Sequence, residues 1–231
     1  SKDNNFEHAV IKNSLVGVLV DSAASLQMRP TQLYNTAGSG IVARHAEIYA
    51  ENCLVYNNGS TSVQLGFGGT YEFNYCTIAS YGVDASALSL SNGICYDQLC
   101  EQFDIFPLNA TFRNSILFGS RRDEISLIDF TDGMDPFSFG YLFDHCVVRV
   151  DELTDPDKGG YTEFFNQQCA TCINGTSSDN LFADIGEDDY TLDTLSIAEQ
   201  QAIPLNGINL DLLENMRDPV NPDVGCFEYQ N

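Results

Sequence analysis

Several residues in this 231-residue chain are of types and spacings that could do chemistry. Cys169-Ala170-Thr171-Cys172 is a CxxC motif. Such a pair serves redox exchange inside a thioredoxin-like βαβ unit, or binds zinc when a second pair lies at compatible spacing. The flanking sequence has no βαβ pattern, so a local disulfide or plain thiols is the simpler reading. Cys95 and Cys100 share one loop, where they form either an extracellular disulfide or free thiols, and they are the pair that could complete a zinc site in space. His8, His45 and His145 fall in or beside turns, and no Ser/His/Asp or Cys/His constellation can be built on them. Asp21 and Arg44 supply one carboxylate and one cation, where a polysaccharide-cleaving site needs clustered or paired carboxylates. Their simpler reading is a surface ion pair of little energetic weight. Asp184, Glu187, Asp188 and Asp189 form one acidic cluster, and Asp151, Asp155 and Asp157 another. Neither has the spaced ligands of a calcium loop, so a solvated charge run is the default and Ca²⁺ the alternative.

The charge balance narrows the partners. With 33 acidic and 10 basic residues the formal net charge is −23. Nucleic acid is excluded as a partner, because phosphate contacts need Lys and Arg clusters that this chain lacks. Anionic membrane surfaces and free polyuronates are repelled at long range. No run of eighteen apolar residues exists, so no transmembrane segment is expected. There is no starting Met and no signal-peptide pattern.

The elements that would position these groups are repeats. Taking Cys53 as an anchor, an apolar or small residue stands three before it (Ala50) and an aliphatic two after (Val55). The same pattern fits Ser14, Cys76, Ser115 and Cys146, with a weaker copy at Thr36. The residue just before the anchor is Asn13, Asn35, Asn52, Tyr75, Asn114 or His145. Side chains alternate along a strand, so offsets of minus three, zero and plus two share one side only if a sharp corner intervenes. Asn and His tolerate the left-handed backbone of such a corner. Each copy therefore reads as strand, corner, strand, and the cysteines as a ladder of small buried residues.

A second series has the same period: Val18-Leu19-Val20, Ile41-Val42-Ala43, Val63-Gln64-Leu65, Leu88-Ser89-Leu90 and Ile125-Ser126-Leu127. Two registers in agreement predict an all-β, right-handed parallel β-helix, a solenoid. The outward ladder is then Leu19, Val42, Gln64, Ser89 and Ser126, flanked by Asp21, Arg44, Gly66 and Ser91. Coils stack about 4.8 Å apart, which predicts that Asp21 and Arg44 pair. Residues 1–150 are assigned to coils. Residues 151–231 are assigned to a polar linker and an irregular cap folded over the end of the stack, with a helical turn at 196–202 and a last strand at 227–229. The chain enters the solenoid almost at once, so its N-terminal end is expected to continue into further coils, or to be covered by a partner.

The runs AENCLVYNNG at 50–59, YEFNYCTIASYG at 71–82, ATFRNSILFGS at 110–120 and YLFDHCVVRV at 141–150 resemble right-handed β-helix repeat proteins exported by Bacteroidetes-type bacteria, of pectin-lyase-like fold. The ending is similar to theirs too: LFADIGEDDYTLDTLSIAEQQAI at 181–203, then Arg217-Asp218-Pro219 and NPDVGCFEY at 221–229, against a usual closing "PDIGAYEY". The departures are a short repeat at Thr36 and Gln200-Gln201-Ala202-Ile203 in place of "SPAI". The resemblance implies fold and an extracytoplasmic location, secreted or on the cell surface. The resulting expectation is a non-catalytic protein that engages glycan or cell-envelope material through the face carrying Asp21, Arg44, Gln64, Ser89 and Ser126. The alternative is a polysaccharide lyase or glycoside hydrolase acting in a groove along one sheet, with Asp21 and Arg44 as its catalytic pair.

Overall fold

In the computed structural model, which describes residues 2–230, the short strands stack as a parallel β-helix with three faces. The first face carries Val18–Val20, 41–44, 63–66, Leu88–Ser91 and Ile125–Ile128. The second carries Asn4–Phe6, Ser25–Met28, 46–51, 69–74, Leu108–Arg113 and Phe139–Asp144. The third runs from Val10–Ser14 through Thr31–Thr36, Cys53–Asn58, Thr77–Ser80, Ile116–Gly119 and Val147–Val148 to Ile173–Asn174. Every strand-to-strand contact between successive coils is parallel.

All six residues expected at corners have positive φ: Asn13, Asn35, Asn52, Tyr75, Asn114 and His145, between 50° and 59°. Cys53, Cys76, Ser115 and Cys146 lie one above another, since Leu54 pairs with Thr77, Thr77 with Ile116, and Ile116 with Val147. The register corrects the reading of the first two anchors. Ser14 pairs with Thr36, and Thr36 with Asn58, not with Cys53. Cys53 pairs instead with Thr31. Three corners of this coil are left-handed, at His45, Asn52 and Asn57 (φ 47–51°), and the two that precede Cys53 and Asn58 both carry Asn. Pro30 stands before Thr31, and its ring fixes φ near −65°, so that coil lacks the Asn signature.

Inside the coil, Phe6, Met28, Ala50, Phe73, Phe112 and Phe143 form one column. Its last three rings stack at 5.0 and 5.1 Å, the separation that the coil rise imposes. Ile11, Leu33, Val55, Ile78, Leu117 and Val148 form a second column. The side chains of Cys76 and Cys146 donate to carbonyls of neighbouring coils or their own, and burial pushes the Cys146 thiol up to about 12, so it packs as a small hydrophobe.

Beyond Val150 the chain does two things. Leu153, Phe164 and Cys169 join the interior core and close the end of the stack. The rest lies along the outer side of the third face rather than over the end. There Leu181, Phe182, Tyr190, Leu192, Ala202, Val224 and Phe227 pack on Leu54, Tyr56, Tyr75, Ile116 and Phe118. These outward side chains of the third face are apolar, and only a covering segment keeps them from water. One more coil position is present than the repeat suggested, because Ile173–Asn174 pairs with Val147–Val148. Residues 196–202 form turns in place of a helical turn: the Ser196 hydroxyl donates to Leu181 O and accepts from Ala198 N. Residues 227–229 are irregular instead of a strand.

Both loop cysteine pairs are disulfides, Cys95–Cys100 and Cys169–Cys172. The first closes an antiparallel excursion, Gly93–Cys95 against Phe103–Ile105. That excursion is tied to the solenoid by buried Asn92, whose side chain donates to Asp129 Oδ1 and accepts from Phe130 N. Because the loop is short and lies outside the core, replacing Cys95 and Cys100 by serine is expected to cost at most about 2 kcal/mol. Hydrogen exchange should speed up within 93–105 and stay unchanged in the third face. Faster exchange throughout the coils would contradict this.

Candidate functional site

A concavity of about 570 Å³ opens at the end of the first face. Ser126 and Leu127 of Ile125–Ile128 form part of its floor, and Asp84 and Ser86 come from the preceding turn. Arg121 and Asp123 come from the loop after Ile116–Gly119, and Glu152, Lys158 and Tyr161 from the segment that closes the stack. A second depression of about 430 Å³ shares Asp84, Arg121, Asp123 and Glu152 and adds Arg122, so the two form one groove around the Asp84–Arg121 bridge.

Glu124 shapes this loop. It is fully buried, and its carboxyl accepts from Arg121 N at 2.7 Å and Ala87 N at 2.8 Å. Gly119 leaves room for it: a Cβ there would stand 2.4 Å from Glu124 Oε1 and 1.9 Å from Ser80 O. Burial raises the Glu124 pKa to about 7 against the pull of the two backbone donors and of Arg149. With both oxygens occupied and no exposure, Glu124 is a structural acid beneath the groove and does not line it.

The neighbouring Asp123 faces the other way and accepts from Asp151 N and Leu153 N, docking the 3-10 turn Glu152–Thr154. That turn brings Glu152 between Lys158 at 2.7 Å and Arg122 at 2.9 Å. The Lys158 and Arg122 cations hold the Glu152 carboxyl below its ordinary range. On the opposite wall Arg121 meets Asp84 Oδ1 at 2.8 Å and Asp84 O at 3.1 Å. In a chain of net charge −23, three of the ten basic residues thus gather at one groove, matched by three carboxylates. The result is a locally balanced surface of forked donors and acceptors with Tyr161 at its wall. Such a surface can hydrogen-bond a polyhydroxylated ligand and stack against an apolar ring face.

The ladder expected on the first face is present in register: Leu19, Val42, Gln64, Ser89 and Ser126 are successive partners. Of these only Ser126 reaches the groove. Asp21 and Arg44 do not form the expected ion pair. Asp21 accepts from Ser22 N at 2.9 Å, and Arg44 lies over the Phe67 ring at 5.8 Å. A turn begins straight after Asp21, so its carboxylate serves the local backbone and is not left to the neighbouring coil.

The acidic clusters likewise serve turns: Asp184 accepts from Gly186 N, Asp189 from Thr191, and Asp155 from Asp157 N. Among the described residues, no three His, Cys, Asp or Glu side chains converge as a cation site. Sequence reasoning missed the groove and its residues Arg121 and Arg122. Adjacent arginines in so acidic a chain were the available signal.

No protein-family model matches the chain, and no curated protein does. Among solved structures, a crystal structure of pectate lyase Pel9A is similar over 99% of this chain and 66% of that one, at 10% identity and a TM-score of 0.39. This chain therefore spans just under two thirds of that protein. The parallel β-helix rests on the strand register itself.

Proposed function

We propose that this protein is an exported or cell-surface β-helix of the Bacteroidetes repeat type that binds glycan in the groove around Asp84, Arg121, Glu152 and Lys158. The observation that carries the proposal is the groove itself: polar, open, charge-balanced and walled by Tyr161. Drug-like pockets are mostly apolar, whereas a lining of forked donors and acceptors suits a ligand rich in hydroxyl groups. The two disulfides support an oxidising, extracytoplasmic location. The surrounding negative charge favours a neutral saccharide over a polyanionic one.

The test is a glycan array combined with a turnover screen, each with and without Ca²⁺. The unsubstituted protein should retain a neutral oligosaccharide without releasing product. Arg121→Ala and Lys158→Ala should each weaken binding about tenfold, or about 1.4 kcal/mol. Both ion pairs are exposed, so stability should change by no more than about 1 kcal/mol. Unchanged affinity in the double variant would remove the groove from consideration. Product release by the unsubstituted protein would replace binding with polysaccharide cleavage, and loss of that release in Asp21→Asn or Arg44→Gln would place the chemistry on the first face.

A further inference from the structure

A separate cavity of about 330 Å³ lies between the outer side of the third face and the C-terminal segment, across the 119–124 loop from the groove. Tyr81, Phe118 and Phe182 give it aromatic walls, Arg149 supplies a cation, and Ser120 and Ser177 stand among its polar lining residues. The Arg149 guanidinium lies over Phe118 at 5.8 Å and donates one hydrogen bond, to Gly119 O.

A guanidinium has five N–H groups. Among the described residues the Arg149 guanidinium makes no second hydrogen bond, and Arg149 is one of the residues that line the cavity. Among the described residues Arg149 forms no ion pair, although the chain holds 33 carboxylate side chains. Neither of the two nearby acids pairs with Arg149, although Asp179 itself lines the cavity and is bonded through Oδ2 alone. Glu124 accepts from two backbone N–H groups of its own loop, and Asp179 accepts from Thr176 N and Oγ1.

From this juxtaposition, a cation without an ion-pair partner at one side of a small aromatic-walled cavity, we infer that the cavity is a binding site for a small aromatic carboxylate. The carboxylate takes the forked donors of Arg149, where paired N–H···O bonds are strong and directional. The ring lies among Tyr81, Phe118 and Phe182, with edge and face contacts of the usual aromatic kind. The volume is at the lower end of what small-molecule sites offer, which limits the ligand to about one ring. The inference does not depend on glycan binding, and the two sites share only Ser120 at their rims.

Fluorine NMR with para-fluorobenzoate tests it on the full chain, with para-fluorobenzamide as the neutral control. The acid should bind saturably and the amide at least about tenfold more weakly. Ser120→Glu places a carboxylate at the exposed rim, where it competes for Arg149, and should abolish binding, whereas Ser120→Gln should retain it. Arg149→Gln should behave as Ser120→Glu does. Because Ser120 is exposed, its variants keep the test valid even if Arg149→Gln unfolds. Equal binding of acid and amide, binding that survives Ser120→Glu, or no binding to the folded protein would each overturn the assignment.

Discussion

Replacing Arg217 with alanine is expected to lower stability by roughly 3–5 kcal/mol, the usual result of removing one partner from a buried charge pair. Arg217 is only 5% exposed, and its guanidinium stacks on the Tyr75 ring at 3.9 Å. It donates to Asn52 Oδ1 at 2.8 Å and to Gly225 O at 2.9 Å, and stands 3.4 Å from Glu228. Asn52 and Tyr75 are corner residues of two successive coils, so one side chain ties the C-terminal segment to the solenoid where its backbone is left-handed. Alanine would leave the Asn52 and Gly225 oxygens unpaired and the Glu228 carboxylate buried without its cation. For a chain of this length the melting temperature should drop by on the order of 10 °C, followed by circular dichroism. Arg217→Lys should recover only part of the loss, because an ammonium cannot reproduce the fork. A loss below about 1 kcal/mol for alanine would show that the segment is held by its apolar contacts alone.

Glu124 gives the second large effect, and it is a pH effect. Burial raises its pKa from 4.5 to about 7, so the folded state prefers the neutral acid. The contribution to stability is complete below pH 4.5 and is lost as pH rises through 7, by up to about 3 kcal/mol. Urea midpoints of the unsubstituted protein should therefore fall across that window. Those of Glu124→Gln, which cannot ionise, should fall much less. Asp223 and Glu228, also pushed up by burial, titrate in both proteins, so the difference isolates Glu124. Parallel curves for the two proteins would refute the buried acid as the source.

Much of the solenoid was legible because its information is local. A strand shows itself through alternation, and a left-handed corner through Asn or His, each within a few residues. The same locality produced the register error at Ser14 and Thr36. The corners before Cys53 and Asn58 share a left-handed backbone and both carry Asn, so they look alike in sequence, and Pro30 hides the corner before Thr31 that would have set the count. The Asp21–Arg44 pairing failed for a related reason: adjacent coils guarantee proximity of backbones, but each polar side chain takes the nearest donor, which for Asp21 is Ser22 N.

By itself the sequence determined the coil, its inward columns and the column of small residues at Cys53, Cys76, Ser115 and Cys146. Only the tertiary structure decided where the C-terminal segment lies and which polar residues meet. Asp84, Arg121, Glu152 and Lys158 come from insertions and connections of unequal length, which carry no period from which a position could be read. The apolar outer residues of the third face required a cover, and the segment that supplies it is held by contacts such as Asn52 to Leu210 O, Asn114 to Ile203 O and Thr77 to Cys226 N. Those contacts join residues far apart in the chain, and no spacing within the sequence encodes them.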